Sequence, residues 1–154
     1  MSENLTRIRR HAKLPRVRAY SALVDSNAVA TWMMPTGMTS HVHAFVPREG
    51  GCFRISLTYD APTGTGKTTA HTDTYHDRFV KLVPNEQVIE VVEFETADPA
   101  IRGQMTITIS LADADYGTDV LAVYDGLQHG LSSADNEAGW RSSLAKLAAF
   151  VEVG

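Results

Sequence analysis

The sequence predicts an α+β fold, a curved antiparallel β-sheet of about six to seven strands wrapped around a long C-terminal α-helix, with two short helices after the first strand. Three observations lead there. Met105, Ile107, Ile109 and Leu111 alternate with Thr106, Thr108 and Ser110, the period of a strand with one buried face. Successive strand candidates are separated by short, turn-rich stretches, which join antiparallel neighbours. Trp140, Leu144, Leu147 and Val151 recur at i, i+4, i+7 and i+11, with Ala148 beside them, so a helix over 134–152 carries one apolar stripe. A helix of roughly 28 Å needs a surface for that stripe, and the sheet is the only large one available.

Each element has its own local reason. Leu5, Arg7, Arg9 and His11 alternate with Thr6, Ile8 and Arg10, which allows a first strand with a poor apolar face. Pro15 suits a helix's first turn, and Val17, Tyr20, Ala22, Leu23 and Val24 follow at helical spacings. Asp25-Ser26-Asn27 can cap a second short helix, Ala28 to Met33, which Pro35 and Gly37 end. Val42, Ala44 and Val46 then alternate with His41, His43 and Phe45. After Pro47 to Gly51, a run from Cys52 places Phe53, Ile55, Leu57 and Tyr59 on one face. A long strand over Thr69 to Val83 stops at Pro84-Asn85, and Gln87 to Thr96 follows before the turn at Asp98-Pro99. Asp113 to Gly117 reads as a hairpin loop that returns the chain through Thr118 to Tyr124. Ser133 or Asp135 can cap the last helix.

Composition bounds the function. The 154 residues fit one domain, 1–154, with 44% hydrophobic and 21% charged residues. The first fifteen residues lack the apolar core of a secretory signal, and no apolar run approaches the roughly 20 residues of a membrane helix. One cysteine, Cys52, excludes an internal disulfide and any cysteine-based zinc cluster, and it reads as a small buried residue. A cytoplasmic protein is the expectation, with no membrane partner. Residues 1–18 hold six of the 14 basic residues against one acid, and the remainder carries eight bases against 17 acids. An acidic body of that kind repels phosphate backbones, so nucleic acid is not an expected partner.

Several segments together resemble a known family. They are Trp32-Met33-Met34-Pro35 at the end of the second helix, Gly50-Gly51-Cys52-Phe53 at a strand start, and Arg78 to Glu86 across a strand end and its proline. Gly117-Thr118, Tyr124-Asp125-Gly126-Leu127 and Gly139-Trp140 complete the set. Their order resembles the START and Bet v-like (SRPBCC) superfamily, in its branch named after the activator of heat-shock-protein-90 ATPase, over roughly residues 5 to 152. The resemblance implies the helix-grip fold and a cavity between sheet and helix that in many relatives holds an apolar or aromatic small molecule.

Other motifs are better explained structurally. Ala61-Pro-Thr-Gly-Thr-Gly-Lys67-Thr68 fits a relaxed phosphate-loop pattern, but a β-like, Thr- and His-rich stretch follows where that loop needs a helix. His41 and His43 share one strand face, and His71, Asp73 and Asp77 share one parity while His76 takes the other. No helical His-x-x-x-His accompanies them, so neither a metal nor another cofactor is expected. Glu90, Glu93 and Glu95 lie on a strand of mixed parity, and whichever is buried would gain a raised pKa.

The expected cavity is lined by Trp32, Tyr59, His76, Arg78, Glu93, Tyr124 and Trp140. The Trp and Tyr rings supply apolar surface and hydroxyls, and His76 and Arg78 supply polar anchors. The leading reading is a binder of a small apolar or aromatic ligand. One alternative is an enzyme resembling the superfamily's polyketide cyclases and aromatases, with His76 and Glu93 as its acid–base pair. Another is a chaperone-activator-like interaction module, marked by an exposed apolar patch. Sheet edges leave a homodimer open.

Overall fold

The computed structural model describes residues 5–33, 37–60, 72–99, 102–127 and 133–153. Its order is β1 (Thr6–Ala12), α1 (Arg16–Leu23), α2 (Ser26–Trp32), β2 (Met38–Phe45) and β3 (Cys52–Tyr59). Then come β4 (Thr72–Val83), β5 (Gln87–Phe94), β6 (Met105–Ala114), β7 (Gly117–Asp125) and α3 (Ser133–Val153). The strands form one antiparallel sheet in the order β1-β7-β6-β5-β4-β3-β2. The expected α+β helix-grip architecture is the one observed. The meander is uninterrupted from β2 to β7, and β1 closes the far edge by pairing Ile8 with Ala122 and Ala12 with Thr118.

Local chemistry explains the element boundaries. Pro15 sits at the N-cap of α1, where its missing N–H costs nothing. Ala19, Ala22 and Leu23 form the buried face of α1, while Val17, two positions before Ala19, points to solvent at 54% exposure. Asp25 caps α2 by accepting from the backbone N–H groups of Asn27 and Ala28, at 2.8 and 3.1 Å. Trp32 donates its indole N–H to the Ala22 carbonyl at 2.8 Å and so ties the two short helices together.

The turns are equally explicit. Between β6 and β7 the loop shrinks to Asp115 and Tyr116, both at positive φ (41° and 63°), as a tight right-twisting hairpin requires. The expected Asp113 to Gly117 loop is therefore mostly ladder. Gly51 has a steric reason: a Cβ there would lie 2.1 Å from the Val46 carbonyl oxygen. The phosphate-loop-like stretch and His71 lie outside the described residues, as do Pro35 and the Val151 side chain. The strands flanking that stretch, β3 and β4, pair directly with each other, antiparallel.

One expectation of parity changes. A register shift between Val42 and Ala44 turns β2 over, so Phe45 packs inward and Ala44 is exposed. Phe45 lies 5.3 Å from the Phe53 ring and 5.7 Å from that of Phe79, centroid to centroid. The inner face of the sheet is largely apolar, with Phe53, Ile55, Val88, Val92, Ile107, Ile109 and Val120 among its residues. Helix α3 rests against β1, α1 and α2 through Leu144, Leu147 and Ala148. Asn136 donates to Thr6 Oγ1 at 3.4 Å, and buried Ser143 donates to the Met33 carbonyl at 3.3 Å. Among the described residues no helix is long and apolar enough to cross a membrane.

Candidate functional site

The pleat divides the seven expected cavity residues into two groups. Trp32, Tyr124 and Trp140 converge: the Trp140 ring lies 6.3 Å from Trp32 and 6.2 Å from Tyr124, centroid to centroid. That aromatic row joins α2, α3 and β7. Tyr59 is half-buried at the end of β3, opposite Met38. His76, Arg78 and Glu93 stand on the other face of the sheet. Residues 73, 75, 77 and 79 of β4 point inward, so 76 and 78 must point out, and Glu93 pairs with His76 across the strands.

On that outer face His76 belongs to an ion network. Its Nε2 lies 3.5 Å from Glu93 and its Nδ1 3.6 Å from Glu95, and Arg54 holds Glu95 with two bonds of 2.6 and 2.8 Å. The Arg54 bonds hold the Glu95 carboxyl below its ordinary pKa. The acid–base pairing expected of His76 and Glu93 exists as a contact, but with the imidazole 54% exposed and outside the sheet. Cys52 is likewise exposed, which corrects its expected burial, because the residue that turns inward there is Phe53. His41 and His43 share the outer face as expected, 4.6 Å apart. Among the described residues no group of three His, Cys, Asp or Glu side chains could hold a metal ion.

The inner face carries a different set of polar groups. Asp77 and Glu90 are only 2% and 3% exposed. Asp77 sits in the sheet row Phe53–Asp77–Val92–Met105, and Glu90 in the adjacent row Phe79–Glu90–Ile107–Tyr124. The two carboxyls are therefore diagonal neighbours across β4 and β5, each flanked by apolar side chains. Apart from the hydrogen bond that the two carboxyls share, Asp77 Oδ1 and Oδ2 and Glu90 Oε1 have no hydrogen-bond partner. Loss of water is the main influence on both, and it raises Asp77 well above the ordinary carboxylate range. The neighbouring Glu90 charge pushes Asp77 further up. Burial raises Glu90 too, against the smaller opposing effect of its hydrogen bond with Asp77.

Two tyrosines complete the polar interior. Tyr75 donates its hydroxyl to Met33 Sδ at 3.2 Å, and Tyr124 donates to Met105 Sδ at 3.4 Å. A thioether is a weak acceptor, so both hydroxyls keep capacity for a better one. Burial, then Asp77 and Glu90, raise both phenols. Asp73 is buried on the same face. Among the described residues no Lys, Arg or His is buried, so the fully ionisable groups of the interior are all acids.

The sequence contains a signal for this pair. Asp77 shares parity with Tyr75 and Phe79, and Glu90 shares parity with Val88 and Val92. Reading those neighbours as a core face places both acids inside it. The expectation placed on His76, Arg78 and Glu93 follows from side-chain chemistry, which does not report which way a strand faces.

The comparisons with known proteins agree with this geometry. A protein from Chromobacterium violaceum superposes with a TM-score of 0.86 at 29% identity, covering 97% of this chain and 98% of its own. A protein from Arthrobacter aurescens gives 0.81 at 12% identity, covering 98% and 87%. DynU16, a protein in the dynemicin biosynthetic locus, gives 0.68 at 18% identity, with 97% of this chain and 47% of its own covered. The latter two likenesses concern the fold alone. No curated protein matches the sequence. The family described as activator of Hsp90 ATPase homolog 1-like protein matches residues 13–152. With nearly all of its sheet and its terminal helix inside that span, this chain belongs to that family.

Proposed function

We propose that the chain binds a small apolar or aromatic molecule between the inner face of the sheet and α3. The observation that carries this reading is the Asp77–Glu90 pair, two carboxyls almost wholly buried whose only hydrogen-bond partners are each other. An interior selected only for stability has no use for such groups, since apolar residues of similar volume avoid the desolvation cost. A ligand that meets those oxygens supplies the missing reason. Trp32, Trp140, Tyr124 and Tyr59 remain the proposed apolar wall. His76, Arg78 and Glu93, facing outward, are not part of it.

The same pair favours a second reading, acid–base catalysis in the manner of the superfamily's cyclases and aromatases. A carboxyl that burial pushes towards its protonated form can serve as a proton donor. In this version Asp77 and Glu90 replace His76 and Glu93 as the reacting pair. The interaction-module reading has less support: the large exposed hydrophobics, Val17, Val46, Val80 and Tyr116, are spread over separate elements.

Native mass spectrometry of the purified chain, followed by denaturing extraction, tests the binding reading. A co-purifying small molecule, displaced in proportion by 1-anilinonaphthalene-8-sulfonate, is the expected result. A bare chain whose Trp32 and Trp140 fluorescence ignores that probe at saturating concentration would count against it.

A further inference from the structure

Resting on that binding reading, we propose that the Asp77–Glu90 pair selects a ligand bearing a protonated amine on an apolar or aromatic body. Charge supplies the first argument. The ionisable groups that interact with the pair are Tyr75 on β4, Tyr124 on β7 and Cys52 on β3, none of which brings a positive charge. The described part of α3 adds only Arg141, bonded to Glu137 at 3.0 Å and exposed, and Lys146, which is not buried. The positive counterpart of a buried acid pair is thus absent from the described chain.

Valence supplies the second argument. Asp77 Oδ1, Asp77 Oδ2 and Glu90 Oε1 meet no donor outside the hydrogen bond that the two carboxyls share. A primary ammonium carries three N–H donors, so one nitrogen can meet all of them. A neutral alcohol offers one donor, and a carboxylate ligand offers none and adds like charge. Ring faces supply the third. Phe53 and Phe79 flank the two acids, stacked at 5.5 Å, and the Trp32–Trp140–Tyr124 row lies across the same interior. Aromatic faces attract cations and accept the apolar body as well.

Binding of a cation to a pair that burial pushes towards its protonated form favours loss of a proton. The amine ligand therefore binds more tightly as pH rises, until the amine itself loses its charge. A ligand held by protonated acids acting as donors shows the opposite trend.

The test uses three probes of one shape, 2-(naphthalen-2-yl)ethylamine, 2-(naphthalen-2-yl)ethanol and naphthalene-2-acetic acid, in calorimetric titrations of the whole chain. The amine is expected to bind at least about tenfold more tightly than the alcohol, and the acid most weakly. Its affinity is expected to rise with pH below the amine's own pKa, with proton release. Asp77→Asn combined with Glu90→Gln should bring amine and alcohol within about twofold of each other, whereas Glu95→Gln on the outer face should keep the preference. Circular dichroism confirms that each variant is folded. Equal binding of amine and alcohol overturns the amine assignment and leaves the binding reading standing. So does an amine preference that survives the double substitution. Failure of all three probes to bind removes both.

Discussion

Strands β4 and β5 present two faces built from the same residue types, with opposite electrostatics. Asp77 lies between His76 and Arg78 in the chain, yet neither cation reaches it, because the pleat sends both to the other side. On the outer face, Glu93 and Glu95 have His76 and Arg54 within ion-pair distance and water beside them. On the inner face, Asp77 and Glu90 have phenylalanines and each other. The Glu95 carboxyl is thereby held towards its ionised form outside, while Asp77 and Glu90 are pushed towards the protonated form inside. An acid's role in this molecule follows from which face it occupies rather than from its neighbours in sequence.

The comparison is broken most severely through the packing that keeps the inner face dry. Trp32→Ala removes a side chain 1% exposed and its bond to the Ala22 carbonyl. A loss of about 3–5 kcal/mol is expected in urea unfolding, with less for half-buried Trp140→Ala. Near-native stability of the Trp32 variant would mean that the short helices do not seal the interior.

The next effect is the pH dependence of the inner acids. Burial raises the folded pKa of Asp77 above its unfolded value, so the folded chain keeps a proton that the unfolded chain has released. Its contribution to stability is complete below the unfolded value, near about 4, and is lost as pH rises through the folded pKa. Asp77→Asn removes that loss. Its stability relative to the parent should improve with pH by about 1.4 kcal/mol per unit through the window between the two pKa values. A constant difference across that range, measured by thermal melts at several pH values, would show that Asp77 is as solvated as Glu95.

Smaller effects belong to the outer face. Arg78→Ala is expected to leave the affinity for 2-(naphthalen-2-yl)ethylamine unchanged within about twofold, because the guanidinium points away from the interior. Smallest of all is Glu95→Gln: it breaks an exposed pairing with Arg54 and should shift the melting temperature little, with the shift vanishing in concentrated salt. A larger effect there than at Asp77 would reverse the comparison.

Much of the fold is legible in the chain itself. Period-2 alternation in β6, the inward set Phe53, Ile55, Leu57 and Tyr59 in β3, and the Leu144–Leu147–Ala148 stripe of α3 each depend on local periodicity, which a sequence displays directly. So do the cap at Asp25 and the turns at Asn85 and at Asp115-Tyr116. The aromatic meeting of Trp32, Tyr124 and Trp140 is expected as a set, although their mutual distances belong to the packing. Phe45 takes the face opposite to the one simple alternation predicts, because the register shift after Val42 adds one residue to the pattern and leaves no mark in composition.

Sequence by itself determined the architecture, since buried periodicity, caps and turns are properties of short segments. Only the tertiary structure decided which acids matter. Asp77 and Glu90 are separated by a hairpin and become neighbours through the β4–β5 register, and their isolation from His76, Arg78 and Arg54 comes from the sheet that stands between them. Burial, and with it the shift of their protons, is a property of everything packed around the pair.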